Sequence, residues 1–397
     1  MKPLTDLRIL ELTHMVSGPY AGALLADLGA ETIKIEPPGR GEATRGLMAE
    51  EPGFDVDGMG PYFLSLNRNK KSVTLDLKSE AGLGIFYDLV RVSDVVLNNY
   101  RVGVMERLKI DYAHLSAVNP RIVTCSITGF GETGPARELP AYDMVVQAMS
   151  GVMSVTGDPD GLPARAGIPI SDVSSSMLAA FGILAALHER TRTGLGRHVD
   201  ISMLDAQLSA MNYTAAIALM AGEPPGRLGS AHRNHVPYNV YPCRDGHLIV
   251  GVVTDEFWAS LVRVLELDEL DTEENRGRTG RLKNRTAIDR ILAEKFTAHD
   301  RAHWLDMLRA GRIPAAPVND YIEAFNEPQV RARGMIARVA MPDGRTVRMP
   351  GNPIKLAGAE DTYAPPPRLG EHNREVLGGV LGMTEGDMER LEKDGVI

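Results

Sequence analysis

The fold class follows from residues 7–35, which read LRILELTHMVSGPYAGALLADLGAETIKI. The apolar run at 7–12 predicts a β-strand, residues 19–28 predict a short helix, and residues 31–35 predict a second strand. A strand, a helix and a strand in direct succession form the unit from which helix-covered parallel sheets are built. The sequence therefore predicts an α/β fold that starts within its first residues.

The same alternation continues to about residue 130. Further strands are predicted at 72–77, 95–97 and 122–127, and residues 80–92 have apolar side chains at helical spacing. We expect this half of the chain to be a Rossmann-like unit. A dinucleotide would bind at the first strand-to-helix turn through a G-x-G-x-x-G motif. Residues 14–19 lack those glycines, which argues against an NAD-type site.

The rest of the chain predicts a second, smaller domain. Apolar helices are predicted at 174–190 and 203–220, and the proline-rich stretch at 223–226 then marks a boundary. Residues 255–311 are charge-rich and mainly helical in pattern, and 335–349 resemble a hairpin. The predicted division is a large Rossmann-like domain over residues 1–222, a smaller α+β domain with its linkers over 223–318, and a return segment over 319–397 that completes the large domain.

Composition excludes several classes of protein. Lys and Arg total 43 against 52 Asp and Glu, and the formal net charge of −9 disfavours a nucleic acid or an anionic membrane as the partner. The two cysteines, Cys125 and Cys243, suit a reducing compartment, and no H-E-x-x-H or C-x-x-C motif predicts a metal site. The first residues resemble neither a signal peptide nor a membrane span. We expect a cytoplasmic protein.

One carboxylate has an unusual position in the sequence. Residues 165–172, RAGIPISD, form a short extended segment that brings Asp172 to the start of an apolar helix. Unpaired amide groups and the positive helix end favour the ionised form of such a group. Asp172 is therefore predicted to be a charged nucleophile at neutral pH. The alternative is that Asp172 only caps the helix, as N-terminal aspartates commonly do.

Basic residues follow several of the predicted strands. Lys78, Arg101 and Arg107 lie at or near the carboxyl ends of strands, where ligands of open α/β sheets bind. Their cationic groups could meet phosphates there, and the alternative is that they are solvated surface charges. Tyr142 is predicted to lie either in the core or on a pocket wall. The glycine-rich residues 128–131 predict a tight turn.

Short motifs occur in a fixed order along the chain. They are LELTH (10–14), SGP (17–19), LGAETIKIE (28–36), NRNKKS (67–72), SITGFG (126–131), Tyr142-Asp143, the segment ending at Asp172, GLGR (194–197) and LGEH (369–372). In this order they resemble the family III CoA-transferases over essentially the whole chain. That family includes formyl-CoA transferase, carnitine CoA-transferase and the succinyl-CoA:dicarboxylate transferases.

The resemblance implies covalent catalysis on Asp172. In this family the aspartate at that position attacks the thioester carbonyl of a donor acyl-CoA, which gives an acyl-aspartyl anhydride and free CoA thiolate. An aspartyl-CoA thioester, a second anhydride with the acceptor acid and the product thioester follow in turn. Backbone amides around Val16 and Ser17 are candidate oxyanion donors, as are those of a loop in the small domain. Coenzyme A and acyl-CoA are substrates in this scheme, and no prosthetic group or metal is required.

The resemblance also implies which residues contact CoA. These are Val16, Ser17, Leu75, Lys78, Asn99, Tyr100, Arg101, Arg107, Ala141, Tyr142 and Asp143. The formyl-CoA transferases have a glutamine in place of Val16 and an adenine-side arginine in place of Pro37. Arg40 or Arg45 would have to replace that arginine.

Two further features bear on the acceptor acid. The glycine-quartet loop of the formyl-CoA transferases is absent, which argues against formate or oxalate as the acceptor. Residues 229–238 look more like the members that use succinyl-CoA and small dicarboxylates. In that interpretation His232, Arg233 or His235 would meet the remote carboxylate of the acceptor, and the alternative is that these histidines are surface groups on a linker.

Two other functions fit the same fold. An α-methylacyl-CoA racemase uses a histidine immediately before the aspartate that is Asp143 here, and this chain has Tyr142, whose side chain has an unperturbed pKa of about 10. A non-catalytic acyl-CoA-binding protein would be expected to have an altered nucleophile, whereas Asp172 is present. The resemblance finally implies an interlocked homodimer, with which the proline-rich stretches near 224 and 365 are compatible.

Overall fold

The computed structural model of the protein describes residues 2–397. The chain forms two compact units. The first comprises the residues up to Val152, Arg165–Gly222 and Arg331–Ile397, and the second comprises Met153–Ala164 and Glu223–Val330. The short segment Met153–Ala164 therefore groups with the smaller unit, and the chain returns to the larger unit at Arg331 rather than at 319.

Hydrogen bonds explain why this short segment joins the second unit. The Arg227 guanidinium donates to the carbonyl oxygens of Asp158, Pro159 and Gly161, at 2.9, 3.2 and 2.5 Å. The amide of Gly229 donates to the carbonyl of Gly157 at 3.0 Å. Backbone polar groups need partners when they are drawn into a compact unit, and nothing in the local sequence pattern announces these long-range pairings.

A six-stranded parallel sheet forms the centre of the first unit. Its strands are β1 (Arg8–Leu12), β2 (Glu31–Glu36), β3 (Lys70–Thr74), β4 (Val95–Asn98), β5 (Val123–Thr128) and β6 (His198–Ser202). They lie in the order β3-β2-β1-β4-β5-β6. The predicted α/β class with a parallel sheet is confirmed. The order reverses between β1 and β4, and open sheets bind their ligands at such a switch point, outside the carboxyl ends of the strands.

The helices before the second unit lie on both faces of this sheet. They are α1 (Ser17–Asp27), α2 (Pro61–Leu66), α3 (Glu80–Arg91), α4 (Val104–Arg107), α5 (Tyr112–Val118), α6 (Asp143–Ser150), α7 (Ile170–Thr193), α8 (Met203–Ala210) and α9 (Asn212–Ala221). Alternate strand residues point to opposite faces. Ile9 of β1 packs in the core beneath α1 and α7, and Leu10 packs in the core beneath α3 and α5.

Helix α7 is a core helix with one open side. Its buried residues recur every three or four positions, from Ser171 and Ser175 through Ala179 and Ile183 to Arg190. This face packs against α1, α8, β5 and β6, and the Arg190 guanidinium forms a 2.8 Å ion pair with Asp94. By length and hydropathy alone, α7 is the one helix within residues 2–397 that would be able to cross a membrane.

Several predicted elements differ from those observed. The helix predicted at 203–220 is two helices, α8 and α9, because the chain turns at Asn212, whose φ is 47°. Strand β6 was not predicted, because its sequence HVDIS is largely polar. Strand β3 ends at Thr74, so the predicted end at 77 is wrong, and Lys78 lies in the turn before α3 rather than directly after the strand.

The second unit combines a small antiparallel sheet with helices. Its strands are β7 (Tyr238–Cys243), β8 (Gly246–Gly251) and β9 (Ala315–Pro317). Its helices are α10 (Asp255–Val264), α11 (Glu273–Arg276), α12 (Arg278–Lys283), α13 (Arg285–Phe296), α14 (Arg301–Ala310), α15 (Tyr321–Asn326) and α16 (Pro328–Ala332), the last of which runs into the return segment. A core of its own, including Tyr241, Leu248, Trp258 and Phe296, holds these elements together.

The return segment forms a hairpin and a short helical end. The hairpin consists of β10 (Ile336–Ala340) and β11 (Thr346–Pro350), as predicted. A single π-helical turn at Arg374–Gly378 leads to α17 (Gly379–Leu381) and α18 (Glu385–Lys393). Val376, Leu377 and Met388 pack in the core with the helices on the outer face of the parallel sheet.

Candidate active site

The turn between β1 and α1 forms one wall of the site. Its backbone takes a left-handed conformation at Met15, whose φ is 63°. A Cβ atom at Gly18 would lie 2.5 Å from Thr13 Cβ and 3.0 Å from Asn99 Cγ, so this glycine serves close packing. Val16 is the N-cap of α1 and makes no side-chain capping bond. The first N–H groups of a helix have no partner within it. In α1 these are the N–H groups of Ser17 and Gly18.

Asn99, just after β4, holds this turn in place. Its Oδ1 atom accepts a 2.9 Å hydrogen bond from the His14 amide. Its Nδ2 atom donates to the His14 carbonyl at 2.7 Å and to Ser17 Oγ at 3.3 Å. The His14 ring stacks on Tyr100, with 5.8 Å between the ring centroids. Residues that follow β1 and β4 therefore meet at the switch point of the sheet.

Asp172 lies in the first turn of α7, and another residue caps that helix. Pro169 is the N-cap and makes no side-chain bond. Oδ1 of Asp143 instead accepts hydrogen bonds from the amides of Ser171 at 2.8 Å and Asp172 at 3.4 Å. The hypothesis that Asp172 caps the helix is therefore wrong. The Asp172 carboxylate is therefore not used to cap α7.

The pKa of Asp172 is raised from its ordinary value to about 7. Burial is the largest cause, the nearby charge of Asp143 adds to it, and a hydrogen bond from the Ser17 side chain opposes it. With this pKa, about half of the molecules have the charged Asp172 expected at neutral pH. The helix amides that would have favoured ionisation bond to Asp143, whose negative charge acts in the opposite direction.

A cavity of about 450 Å³ in the first unit opens onto Asp172. Ligand sites commonly have volumes of this order. The predicted residues that line it are Val16, Ser17, Asn99, Tyr100, Arg101, Ala141, Tyr142, Asp143 and Asp172. Tyr142 is a wall residue rather than a core residue, and 66% of its surface is exposed. The structure therefore brings together most of the residues that the sequence singled out.

Three predicted CoA contacts do not line this cavity. Leu75 is 2% exposed and belongs to the hydrophobic core. Lys78 is exposed in the turn before α3, and Arg107 is exposed at the end of α4. Their contact with CoA remains a prediction.

Arg45 cannot serve as the adenine-side arginine. Its side chain is buried, and its guanidinium forms two hydrogen bonds with Glu36, at 2.7 and 2.5 Å. It also lies 4.0 Å above the ring of Phe63. These contacts tie Arg45 to the core of the first unit. Arg40 is exposed and remains the candidate.

Sequence analysis missed five polar cavity residues: His14, Tyr62, Arg137, Glu138 and Arg165. Arg165 had a detectable signal, because it lies in the same extended segment as Asp172. The next residue anchors this segment, since the Ala166 amide donates to Gln147 Oε1 at 2.8 Å and Gln147 Nε2 donates to Asp143 Oδ2 at 2.6 Å.

Three arginines line this cavity together with the acidic residues Glu138, Asp143 and Asp172. The side chains of Arg101, Arg137 and Arg165 line it, and none of the three forms an ion pair with another residue in 2–397. Burial, Lys34 and Arg101 lower the pKa of His14. The described residues, 2–397, contain no group of three His, Cys, Asp or Glu side chains able to hold a metal ion.

The predicted acceptor-binding residues lie in the second unit. The His232 ring stacks on Tyr238 with 5.0 Å between centroids, and His235 is 4.9 Å away. The Arg285 guanidinium donates to the carbonyls of His232 and Arg233. Burial lowers the pKa of His232, and His235 and Arg285 add to this effect. A role for these residues in acceptor binding remains a prediction.

Known proteins match the chain over nearly its whole length. Residues 4–373 match CoA-transferase family III. The chain is 37% identical over 399 residues to succinyl-CoA:glutarate CoA-transferase of Mus musculus, covering 100% of this chain and 91% of that protein. It is 39% identical over 376 residues to acetyl-CoA:oxalate CoA-transferase of Acetobacter aceti, covering 93% of each. A CAIB/BAIF family protein from Brucella suis has a crystal structure that matches with a TM-score of 0.85 at 34% identity, over 95% of this chain and 99% of that one.

Proposed function

The chain belongs to CoA-transferase family III, and from this premise we propose that it moves coenzyme A from an acyl-CoA donor to a small carboxylic or dicarboxylic acid through covalent intermediates on Asp172. The observation that supports this most strongly is the setting of Asp172. It lies on the wall of the cavity, is not used as a helix cap, and is partly withdrawn from water.

The proposed reaction has four acyl-transfer steps. An oxygen of the Asp172 carboxylate attacks the thioester carbonyl of the donor, and the C–S bond breaks to give a mixed anhydride and CoA thiolate. The thiolate attacks the aspartyl carbonyl, forms the aspartyl-CoA thioester and releases the donor acid. The acceptor carboxylate displaces the thiolate to form a second anhydride. The thiolate then attacks the acceptor acyl carbonyl, which releases product acyl-CoA and restores Asp172.

Groups around Asp172 can support these steps. Each addition places negative charge on a former carbonyl oxygen, which needs hydrogen-bond donors already in position. The first amides of α1, at Ser17 and Gly18, are suitable donors because they have no partner within the helix. A carboxylate whose pKa is about 7 is ionised in about half of the molecules at neutral pH. Since water solvates it poorly, its charged form is a better nucleophile than an exposed carboxylate.

The three arginines of the cavity support dicarboxylate substrates. The mouse relative is named for succinyl-CoA and glutarate, and the Acetobacter relative for acetyl-CoA and oxalate. We propose succinyl-CoA as the donor and a small dicarboxylate as the acceptor. The unpaired guanidinium groups of Arg101, Arg137 and Arg165 would bind the CoA phosphates and the free carboxylate of the substrate.

Chemical trapping tests the covalent intermediate. The protein is incubated with succinyl-CoA, treated with hydroxylamine, and digested for peptide mass spectrometry. The hydroxamate is expected at Asp172 in wild type and nowhere in Asp172→Asn. A wild-type protein that exchanges acyl groups rapidly without any modification at Asp172 would contradict the proposed mechanism.

Acyl exchange tests the substrates. Succinyl-CoA and acetyl-CoA are offered with a panel of acids that includes glutarate, other small dicarboxylates, oxalate and formate. Exchange with dicarboxylates supports the proposal. Exchange of the α-proton of an acyl-CoA in deuterium oxide without acyl exchange would identify a racemase, and binding of CoA without turnover would identify a binding protein.

A homodimer is the proposed assembly, and exposed apolar side chains support it. Met177, Leu178 and Phe181 lie on the open side of α7, and Leu219 and Met220 of α9 are 84% and 89% exposed. Patches of this kind mark interaction surfaces. Light scattering on the purified protein should give twice the mass of one chain, and a monomer at micromolar concentration would refute the proposed homodimer.

The proposed compartment is the cytoplasm, which cell fractionation would test. The free thiols Cys125 and Cys243 are compatible with it.

A further inference from the structure

A buried cluster of charged side chains lies directly beneath the β1–α1 turn. Glu11 of β1 is at its centre and is 0% exposed, as is Lys34 of β2, and Lys70 of β3 is 3% exposed. Lys70 Nζ lies 2.8 Å from Glu11 Oε2, and Lys34 Nζ lies 3.3 Å from Glu11 Oε1. The hydroxyl of Thr13 donates to Glu11 Oε1 at 2.7 Å. The acyl-transfer steps use none of these groups.

The two lysines bond to opposite ends of the turn. Lys34 Nζ donates to the carbonyl of Thr13 at 2.8 Å, where β1 ends. Lys70 Nζ donates to the carbonyl of Pro19 at 2.9 Å, in the first turn of α1. Ser17 lies between these two anchor points. Lys70 also donates to Asn67 Oδ1 at 3.0 Å, which together with Glu11 gives each of its three ammonium protons an acceptor.

The packing around Glu11 indicates that its carboxylate position is specific. A Cβ atom at Gly22 of α1 would lie 1.8 Å from Glu11 Oε2, so the helix can cover the carboxylate only with glycine there. Burying charged groups has a large desolvation cost, and apolar side chains of similar volume often give equal or greater stability. The cluster supplies what apolar side chains cannot, which is directed hydrogen bonds to two backbone carbonyls.

We propose that Lys34 and Lys70, bridged by Glu11, are positioning residues that fix both ends of the β1–α1 turn and thereby hold Ser17 against Asp172. The proposal rests on the role of Asp172 given above. Ser17 and Asp172 line the same cavity, and the Ser176 hydroxyl lies 2.6 Å from the backbone carbonyl oxygen of each. The Ser17 side chain also lowers the pKa of Asp172. Loss of the anchors would let this turn shift, which would weaken the Ser17 hydrogen bond and displace the oxyanion donors.

The double variant E11Q/K70M tests this role. It removes the Pro19 anchor without leaving a buried carboxylate opposite an apolar side chain. The matched control is D27N/R68M, which removes another buried ion pair, of 2.6 Å, at the other end of α1. The first readout is the pKa of Asp172 from the infrared carboxyl absorption, measured as a difference against Asp172→Asn, which requires no substrate.

We expect E11Q/K70M to raise the pKa of Asp172, because the Ser17 bond that lowers it is weakened, while Asp143 keeps its place on α6. We also expect kcat to fall about 10- to 100-fold with KM changed by less than about threefold. The control should alter neither the pKa nor kcat per folded molecule. An unchanged pKa and kcat in E11Q/K70M, or equal changes in the control, would overturn the proposal.

A milder variant covers the case in which E11Q/K70M does not fold. Thr13→Val removes only the hydroxyl bond to Glu11 at nearly constant volume, and it should shift the pKa of Asp172 in the same direction by a smaller amount.

The proposed function and the proposed positioning role fail in different ways. A wild-type protein without acyl exchange would contradict the proposed function alone, because the infrared titration would still report the position of Ser17. Normal exchange with an unmoved pKa in both variants would contradict the positioning role alone.

Discussion

Helices α6 and α7 each have an aspartate in the first turn, and the two carboxylates have different surroundings. Asp143 of α6 accepts hydrogen bonds from two amides at the start of α7 and from the side chain of Gln147. Asp172 of α7 is opposed by the charge of Asp143 and receives a hydrogen bond from Ser17. One first-turn aspartate, the first residue of α6, therefore caps the neighbouring helix α7, whereas the other, the third residue of α7, caps no helix. The difference arises because the first amides of α7 donate to Asp143.

The largest effect is expected from removing the Asp172 carboxylate. Asp172→Asn should reduce acyl exchange by on the order of 10⁴-fold or more, because an amide cannot form the anhydride. Steady-state exchange and a CoA-binding assay would check this, with binding retained. Asp205→Asn is the control, since Asp205 is a first-turn aspartate of α8 that does not line the cavity. Substantial exchange by Asp172→Asn would show that Asp172 is not the nucleophile.

The next effect is the pH dependence of the wild type. The pKa of Asp172 is about 7 and only its ionised form can attack, so kcat/KM should fall about tenfold per pH unit below 7. The fall should reach about 100-fold at pH 5 relative to the plateau. A profile flat between pH 5 and 7 would show that Asp172 is ionised like an exposed carboxylate.

A smaller effect is expected from neutralising the capping carboxylate. In Asp143→Asn the side-chain oxygen can still accept from Ser171, but the charge that raises the pKa of Asp172 is gone. The acid limb of kcat/KM should move to lower pH, which would make the relative rate at pH 6 roughly threefold to tenfold higher. An acid limb that stays in place would show that burial alone sets the pKa of Asp172.

The smallest effect concerns stability. The folded-state pKa of Asp172, about 7, lies above the ordinary value for an aspartate, about 3.9. The bound proton therefore stabilises the fold below about pH 4, and this contribution is lost as the pH rises through about 7. Asparagine does not titrate. Asp172→Asn should therefore be more stable than wild type at pH 8, by on the order of 1–2 kcal/mol after allowance for solvent screening. Thermal unfolding of both proteins at pH 4 and pH 8 would test this, and a difference independent of pH would contradict it.

The resemblance to the family III CoA-transferases is confirmed, and so is the parallel α/β sheet. The strands of this sheet were predictable because they are short apolar runs bounded by turns. Strand β6 escaped prediction because it is largely polar, and the two helices α8 and α9 look continuous because both are apolar. Local patterns carry no information about the segment Met153–Ala164, which forms long-range hydrogen bonds with the second unit.

The candidate site was predictable where it follows from strand ends. Arg101 was expected near the ligand because it follows β4 closely, Asn99 and Tyr100 were implied by the family resemblance, and all three line the cavity. Arg45 was offered as a ligand residue, yet its guanidinium is paired with Glu36 in the core. The sequence shows a charge but not its partner, and burial with a partner is what separates a structural arginine from a binding one.

The sequence by itself determined five of the six strands of the sheet, the order of the motifs and the position of Asp172 at the start of α7, because these depend on periodicity and on residues close together in the chain. Only the tertiary structure decided the chemistry of Asp172. The cap on α7 comes from Asp143, 29 residues earlier, and the opposing hydrogen bond comes from Ser17 of α1. The ionisation of a carboxyl group depends on neighbours within a few ångströms, and folding brings those neighbours from distant parts of the chain.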